Sequence, residues 1–503
     1  MPIELINVPL ALSYDTRGVL SFAESNTNGK DQRRVNCIYE ITRGAAGAEP
    51  TASLSRRPGV TDVGNTYGAA TQVQYLVGSD PASAWNAYTP WVAVKDGTAN
   101  KVVNASTATT VLTDTDYSPR FLSTIRMGGT QYALLQLQNK ADPVAASNGQ
   151  KVYYSSAIGT WTQISAATFT ALNVRGQMIE LDGWVFVANG EDDGIYNQTT
   201  QNDLTSTWVD KITISSTFDE IQGLAALRRR ILAFGRETVE CFEIPSPGNA
   251  TGSVLNRIAN TTDRVGLGDV AGPASLDGKT HYYTVVNDML FYLGRFGNVS
   301  ADHSLIVYDG NRHFKVSKEY EDKMMSTTTV YSVTRMSFHG KVGVAIQLTA
   351  PSATTQHWLV YFPDLNEFFQ FTSTVFSPVN NGYHYAGATN PQKLYYFASS
   401  NNWQDAGSNF TMTVQFKIPA KDAEFKEGFI AGLVGDTMSS SENIAISFSV
   451  DDGTTWSTAR NIDMSKAHKL IRKVPLHREL MVRLTHTGAN EVRLRRFYMD
   501  VAG

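Results

Sequence analysis

The sequence predicts an all-β protein, an irregular β-propeller followed by a C-terminal β-sandwich. Three observations carry that expectation. From about residue 71 onward, short runs rich in Val, Ile, Tyr and Phe alternate with Gly, Asn, Asp and Pro turns. The 22 Tyr and 23 Phe suit pleated, half-buried surfaces. Strand clusters recur roughly every 40–50 residues between about 70 and 400, the length of a four-stranded propeller blade. No WD or kelch signature marks the repeats, which leaves the blade number open.

Taken in order, residues 1–60 read as an irregular N-terminal segment, with a basic turn at Arg56-Arg57-Pro58-Gly59, packing on the propeller or on a neighbour. Residues 61–409 read as the propeller-like domain, within which 80–130 stands apart as a possible inserted loop region. Strands are predicted at 73–77, 131–138, 152–154, 184–188, 230–234 and 238–244, the last two joined by a turn at Gly235-Arg236. In the strand 238–244, Val239 and Cys241 share one face and Thr238 and Glu240 the other. More strands follow at 281–286, 289–293, 342–348, 358–362 and 393–397. Helix is scarce; the best segment is 317–325, with Ser317 placed to cap it. From about 410 the strands lengthen and alternate, as in 444–450 and 480–484, and residues 410–503 read as the separate sandwich.

Composition bounds the function. A chain of 503 residues suggests two to four domains. Its formal charge of −4 argues against nucleic-acid binding through bulk positive charge. The two cysteines, Cys37 and Cys241, exclude a disulfide framework and a four-cysteine zinc site, and read as buried free thiols. The N-terminus lacks the pattern of a signal peptide, and no run approaches the roughly 18 apolar residues that span a bilayer. The expectation is a soluble protein made in a reducing cytoplasm, with no membrane insertion. The six Asn-x-Ser/Thr sequons then read as chance in a Ser/Thr/Asn-rich chain.

Motifs that resemble chemistry yield to blander readings. Residues 266–271 match G-x-G-x-x-A, but Gly272-Pro273 follows at once where a helix is needed. Gly272 to Thr280 has one residue too many between its glycines for a phosphate loop. The nine histidines are dispersed without metal-ligand spacing, and Glu191-Asp192-Asp193-Gly194 reads as a solvated turn. Ser449, Asp451, Gly453, Thr455 and Trp456 match an Asp-box, a hairpin in which Asp bonds the loop backbone and Trp packs beneath. Ser155 to Trp161 is a shorter echo of it. No nucleophile elbow is present. The expectation is a protein that is not an enzyme, with no cofactor and no metal. Two basic clusters stand out, Arg228-Arg229-Arg230 and Arg493-Leu494-Arg495-Arg496. Arg228 and Arg230 are expected on one strand face, as are Arg493 and Arg495. Solvated surface, pairing with another subunit and contact with DNA are all open to them.

Several stretches together resemble the tail hub or nozzle proteins of short-tailed bacteriophages, also called packaged-DNA stabilisation proteins. The first is Val35-Asn36-Cys37-Ile38-Tyr39-Glu40 followed by Leu54-Ser55-Arg56-Arg57-Pro58-Gly59-Val60. It is similar to the family's entry strand and its Arg-Pro-Gly turn. The second runs from Leu227 to Phe242 and is similar to the family's Phe-Gly-x-x-Thr-[Ile/Val]-Glu hairpin. After it come the turn around Gly266, the strand 289–293, the strand at Val307-Tyr308 and the short helix near Ser317. The third is the C-terminal strand, Asp-box and strand.

The resemblance is good over about 31–60 and 225–325 and architectural elsewhere. It implies a propeller protomer in a six-fold ring below the portal and its adaptor, bearing fibres, spikes or a plug. The lumen would retain packaged DNA and pass it at ejection. Arg56, Arg57, Arg228, Arg230, Arg493 and Arg495 become candidate intersubunit contacts, and passing duplex DNA is expected without tight binding. The alternative is a glycan-binding or glycan-cleaving propeller, resting on the Asp-box and exposed aromatics. A generic propeller scaffold is the third reading.

Overall fold

The computed structural model describes residues 3–9, 32–42, 51–66, 75–79, 90–96, 99–104, 110–139, 150–156, 161–214, 219–245, 254–258, 264–267, 283–295, 303–327, 330–338, 341–348, 356–373, 379–380, 385–387, 393–397, 402–418, 427–438, 442–466, 470–472 and 480–502. The fold is all-β. Among the described residues the helices are Ala167–Thr170 and Glu319–Thr327, neither able to cross a membrane. The chain divides into two compact units, one of residues 62–367 with 374–396, the other of 1–61, 368–373 and 397–503.

The larger unit is a series of antiparallel meanders, each strand returning beside its predecessor. The first sheet contains Tyr75–Ser79, Pro90–Asp96, Ala99–Asn104 and Thr110–Asp114. The second contains Tyr117–Met127, Thr130–Asn139, Gln150–Ser155 and Thr162–Gln163. The third is Val174–Leu181, Trp184–Asn189, Gly194–Asn197 and Asp210–Thr213. The fourth is Gly223–Leu227, Arg230–Phe234, Val239–Glu243 and Asn256–Arg257, and the fifth Tyr283–Val286, Met289–Gly294, Ser304–Tyr308 and His313–Lys315. A sixth run is Val330–Phe338, Lys341–Leu348 and Gln356–Phe362. Val379–Asn380 returns to pair in parallel with the first strand of the first sheet.

Successive sheets pack face to face, which is why their strands are buried on both sides. Ile125, Leu134 and Val152 of the second sheet share a core with Met178, Val185 and Val187 of the third. Ile179, Phe186 and Ile195 of the third pack on Leu224, Ile231 and Phe242 of the fourth. Phe234 stacks on Tyr283 of the fifth at 5.9 Å and meets Tyr292 at a tilt at 5.0 Å, and Phe291 meets Tyr361 of the sixth at 5.9 Å. Glu240 lies opposite Val239 and Cys241 in its strand, as the alternation predicts, and it is buried as they are.

The segment 80–130 is not a loop insertion where it is described. It supplies strands of the first sheet and the opening strand of the second, and 80–89 lie outside the described residues. The helix forms at Glu319–Thr327, and Ser317 is not its cap. The Ser317 hydroxyl accepts the Leu305 N–H at 2.8 Å and donates to Asp322, while Glu321 takes the Lys318 N–H at 3.0 Å.

The smaller unit is a sandwich assembled from both ends of the chain. One sheet runs Cys37–Thr42, Thr51–Arg56, Arg493–Ala502, Glu427–Gly435 and Leu470–Arg472, with Ile3–Pro9 also on Arg493–Ala502. In the other, Gln32–Val35 pairs antiparallel with Met412–Ile418, which leads to Leu480–His486, Asn443–Ser449 and Arg460–Asp463. Along Met412–Ile418 every second residue is buried, and Phe416 meets Phe497 of the first sheet at 5.3 Å. Where it is described, the segment 1–60 is therefore not irregular. Strands Ile3–Pro9, Gln32–Val35, Cys37–Thr42 and Thr51–Arg56 belong to the sandwich, and the separate domain expected at 410 begins with them.

Candidate functional site

The Arg-Arg-Pro-Gly turn is where the smaller unit concentrates its buried charge. Arg56 and Arg57 are both fully buried. Arg57 makes a two-pronged pair with Asp405, at 2.9 and 2.6 Å, and its Nε donates to Asn36 Oδ1 at 2.9 Å. It also donates to the carbonyls of Pro58 and Thr372. Ser373 donates to the same carboxylate at 2.6 Å. Asn36, at a φ of 56°, spreads its amide over the Thr372 hydroxyl and the Thr411 carbonyl, both at 2.9 Å. The two guanidinium groups lie 4.0 and 3.9 Å from the centre of the Phe410 ring. Burial, with Arg57 beside it, lowers Arg56 to about 10, so it remains a cation at neutral pH. Gly59 has no room for a side chain, since a Cβ there would lie 2.0 Å from the Gln404 carbonyl oxygen.

Arg56 and Arg57 are thus removed from the candidate intersubunit contacts. At 0% exposure neither guanidinium reaches the surface. The other arginines also have partners within the chain. Arg228 is not on a strand face with Arg230; at a φ of 56° it forms, with Arg229, the two-residue turn between Gly223–Leu227 and Arg230–Phe234. Arg228 meets Asp288 at 2.7 Å and Arg229 meets Asp182 at 2.6 Å, each carboxylate in the matching turn of an adjacent sheet. Arg230 donates to the Tyr308 hydroxyl at 3.1 Å and to the Gly310 carbonyl. Arg493 pairs with Glu40 and Glu491 at 3.2 and 2.7 Å, and Arg495 with Asp436 at 2.8 Å.

The Phe-Gly hairpin of the fourth sheet is locked by Asp219, a residue sequence reasoning missed. Its carboxylate accepts the N–H groups of Arg236, Glu237 and Thr238 and the Thr238 hydroxyl. A Cβ on Gly235 would lie 2.2 Å from that carboxylate. Glu240, buried, holds Arg257 at 3.0 Å. Gly266 bonds back to Glu237 in this same hairpin, and the rest of both phosphate-binding look-alikes, 268–280, lies outside the described residues.

The Asp-box folds as a hairpin turn. Asp451 accepts the Ser449 hydroxyl and the Thr455 hydroxyl and N–H, which hold its carboxyl down at about 2. Trp456 does not pack beneath. It is half-buried, its Nε1 donates to the Gly453 carbonyl at 3.0 Å, and Arg483 covers its ring at 3.6 Å. Part of the shorter echo, 157–160, lies outside the described residues. Asp192 and Asp193 bind Asn189, Tyr196 and the Ile221 N–H in place of a cation. Among the described residues no three metal-ligating side chains stand together. Cys37 and Cys241 are buried free thiols, and burial pushes Cys37 up to about 12.

No protein-family model matches the chain, and no curated protein is significantly similar to it. Solved structures similar to it include an exo-β-1,3-galactanase from Phanerochaete chrysosporium, at 10% identity, covering 75% of this chain and 95% of that one, with a TM-score of 0.30. The β-propeller domain of Cps50 (Swd1) from Myceliophteria thermophila is similar at 8% identity over 67% of this chain and 98% of that one, with a TM-score of 0.34. The Aleuria aurantia lectin, in complex with a fucose-containing disaccharide, is similar at 10% identity over 63% of this chain and 98% of that one, TM-score 0.34. These comparisons correct the expectation of a protein that is not an enzyme. Glycoside hydrolases are among the similar structures. At such scores no substrate or activity is carried over from them.

Proposed function

We propose that this chain is a structural subunit of a short-tailed bacteriophage tail. In this reading it forms a ring below the portal adaptor, retains packaged DNA and frames the channel for its exit. The observation that carries the reading is the fate of the two resembling segments. Asn36, Glu40, Arg57 and Gly59 in one, and Phe234, Gly235, Thr238 and Glu240 in the other, are each engaged in an internal lock or a close contact. Residues that resemble the family are thus those that fix this backbone, as expected of an assembly scaffold. Fibres, spikes or a plug would attach to the ring, and the protein would reside in the virion tail. Mass spectrometry of purified particles and of tails detached from them tests this. Copies of the chain in the tail fraction support it; absence from both fractions overturns it.

Glycan recognition is the second reading, and its class is the one found among the similar solved structures. The Asp-box lends it little, because Trp456 is covered by Arg483. A glycan array probed with the full chain tests it: saturable binding to one sugar class favours it, and a blank array removes it.

A further inference from the structure

We infer that His486, Glu442 and Arg56 form a proton-operated latch that holds the strand Thr51–Arg56 to the C-terminal strands and loosens it in mild acid. The inference is independent of the tail reading. His486 closes the strand Leu480–His486 and is 2% exposed. Its Nε2 lies 2.9 Å from Glu442 Oε2, and Glu442 Oε1 accepts the Asn490 amide at 2.5 Å. Against a carboxylate, the neutral ring must carry its proton on Nε2. Nδ1 then presents a lone pair, and that atom is buried without a hydrogen-bond partner. The next proton has nowhere else to go.

The loop after His486 ties this pair to the N-terminal strand. Arg56 donates to the carbonyls of Gly488, Asn490 and Phe410, and its own N–H donates to Val492. A Cβ at Gly488 would stand 2.0 Å from Glu442 Oε2 and 2.7 Å from His486 Nε2, so the loop closes directly on the pair. The charged groups around His486 are Glu442 ahead of Asn443–Ser449 and Arg56 from Thr51–Arg56, with Arg57 and Asp405 behind Arg56. Met412, opposite His486 in the register, is neutral. With a neutral imidazole these four charges cancel. A proton on Nδ1 adds a buried cation facing Arg56 and an N–H with no acceptor.

Burial holds the imidazole below its ordinary 6.5; Arg56 adds to this and Glu442 opposes it. The unfolded chain then takes the proton more readily than the folded one. Stability is complete above about 6.5 and is lost as the pH falls below it, through the folded-state value. Glu442 itself is held below 4.5, so its own protonation belongs to a lower window.

Hydrogen exchange of the histidine rings, read by mass spectrometry on the full-length protein, gives the midpoint of His486 directly. The latch requires a midpoint below about 6.5. It also requires the protection of 51–56 against backbone exchange, corrected at each pH for the slower intrinsic exchange in acid, to fall between about pH 7 and pH 5, and His486→Gln, which keeps a donor toward Glu442, to flatten that fall. A midpoint at or above the ordinary value overturns the latch in the wild-type protein, whether or not the variant folds. So does an unchanged pH response in folded His486→Gln.

Discussion

Arg57 shows how much a single side chain organises. Its planar fork makes a two-pronged pair with Asp405 that an ammonium cannot reproduce, and its guanidinium lies 3.9 Å from the centre of the Phe410 ring. Arg57→Lys is therefore expected to destabilise the smaller unit by about 3 kcal/mol or more, as breaking a buried pair does, read as a shifted urea midpoint. Asp219→Ala strands three hairpin N–H groups and is expected to cost roughly 2–4 kcal/mol, read in the same melts. Trp456 works the other way. A buried indole would lose about 3–5 kcal/mol on truncation, but this one is half-exposed, and Trp456→Ala is expected to cost about 1–2 kcal/mol. A larger loss in thermal melts would mean that Arg483 alone does not cover it. At this scale the sequence spoke through the short motifs: the Asp-box marked a real turn, and Arg-Pro-Gly marked a break between two strands that packs against distant backbone. Their partners were silent, because Asp405 lies 348 residues from Arg57 and nothing local announces it.

Among elements, the hairpins are the informative level. A period of two and a turn every few residues suffice to place strands such as Arg230–Phe234 and Lys393–Phe397, since both properties are local. The strands of the N-terminal segment escape that reading. Gln-Arg-Arg-Val and Thr-Ala-Ser-Leu-Ser-Arg carry little apolar alternation, and each takes a partner from the far end of the chain. The arginine turn was legible as charge but not as a turn, because a triplet of arginines says nothing about which of them takes a positive φ. Its ion pairs to Asp182 and Asp288 link adjacent sheets at exposed positions, where screening is strong. A double-mutant cycle on Arg229 and Asp182 is expected to return about 0.2–1 kcal/mol, shrinking further in high salt. A coupling of several kcal/mol would mean that the turns are structural anchors.

For the whole molecule, composition made the all-β class legible and the repeat length suggested serial four-stranded sheets. It did not reveal that the chain's two ends build one sandwich, because such pairing is a property of topology. Charge bears on how the molecule treats DNA. A channel must confine a duplex without gripping it, and each neutralised phosphate adds affinity. With −4 per chain, and with Arg228, Arg230, Arg493 and Arg495 already partnered, no tight duplex binding is expected at physiological salt. Fluorescence anisotropy across a salt series checks this; nanomolar binding with a steep salt slope would place basic surface in the lumen. The central claim is assembly, and particle images test it most directly. Negative-stain micrographs of the full-length protein, alone and mixed with the portal adaptor, are expected to show closed rings with a central opening. A strict monomer in both preparations, and no ring of this chain in the tails of intact particles, would contradict it.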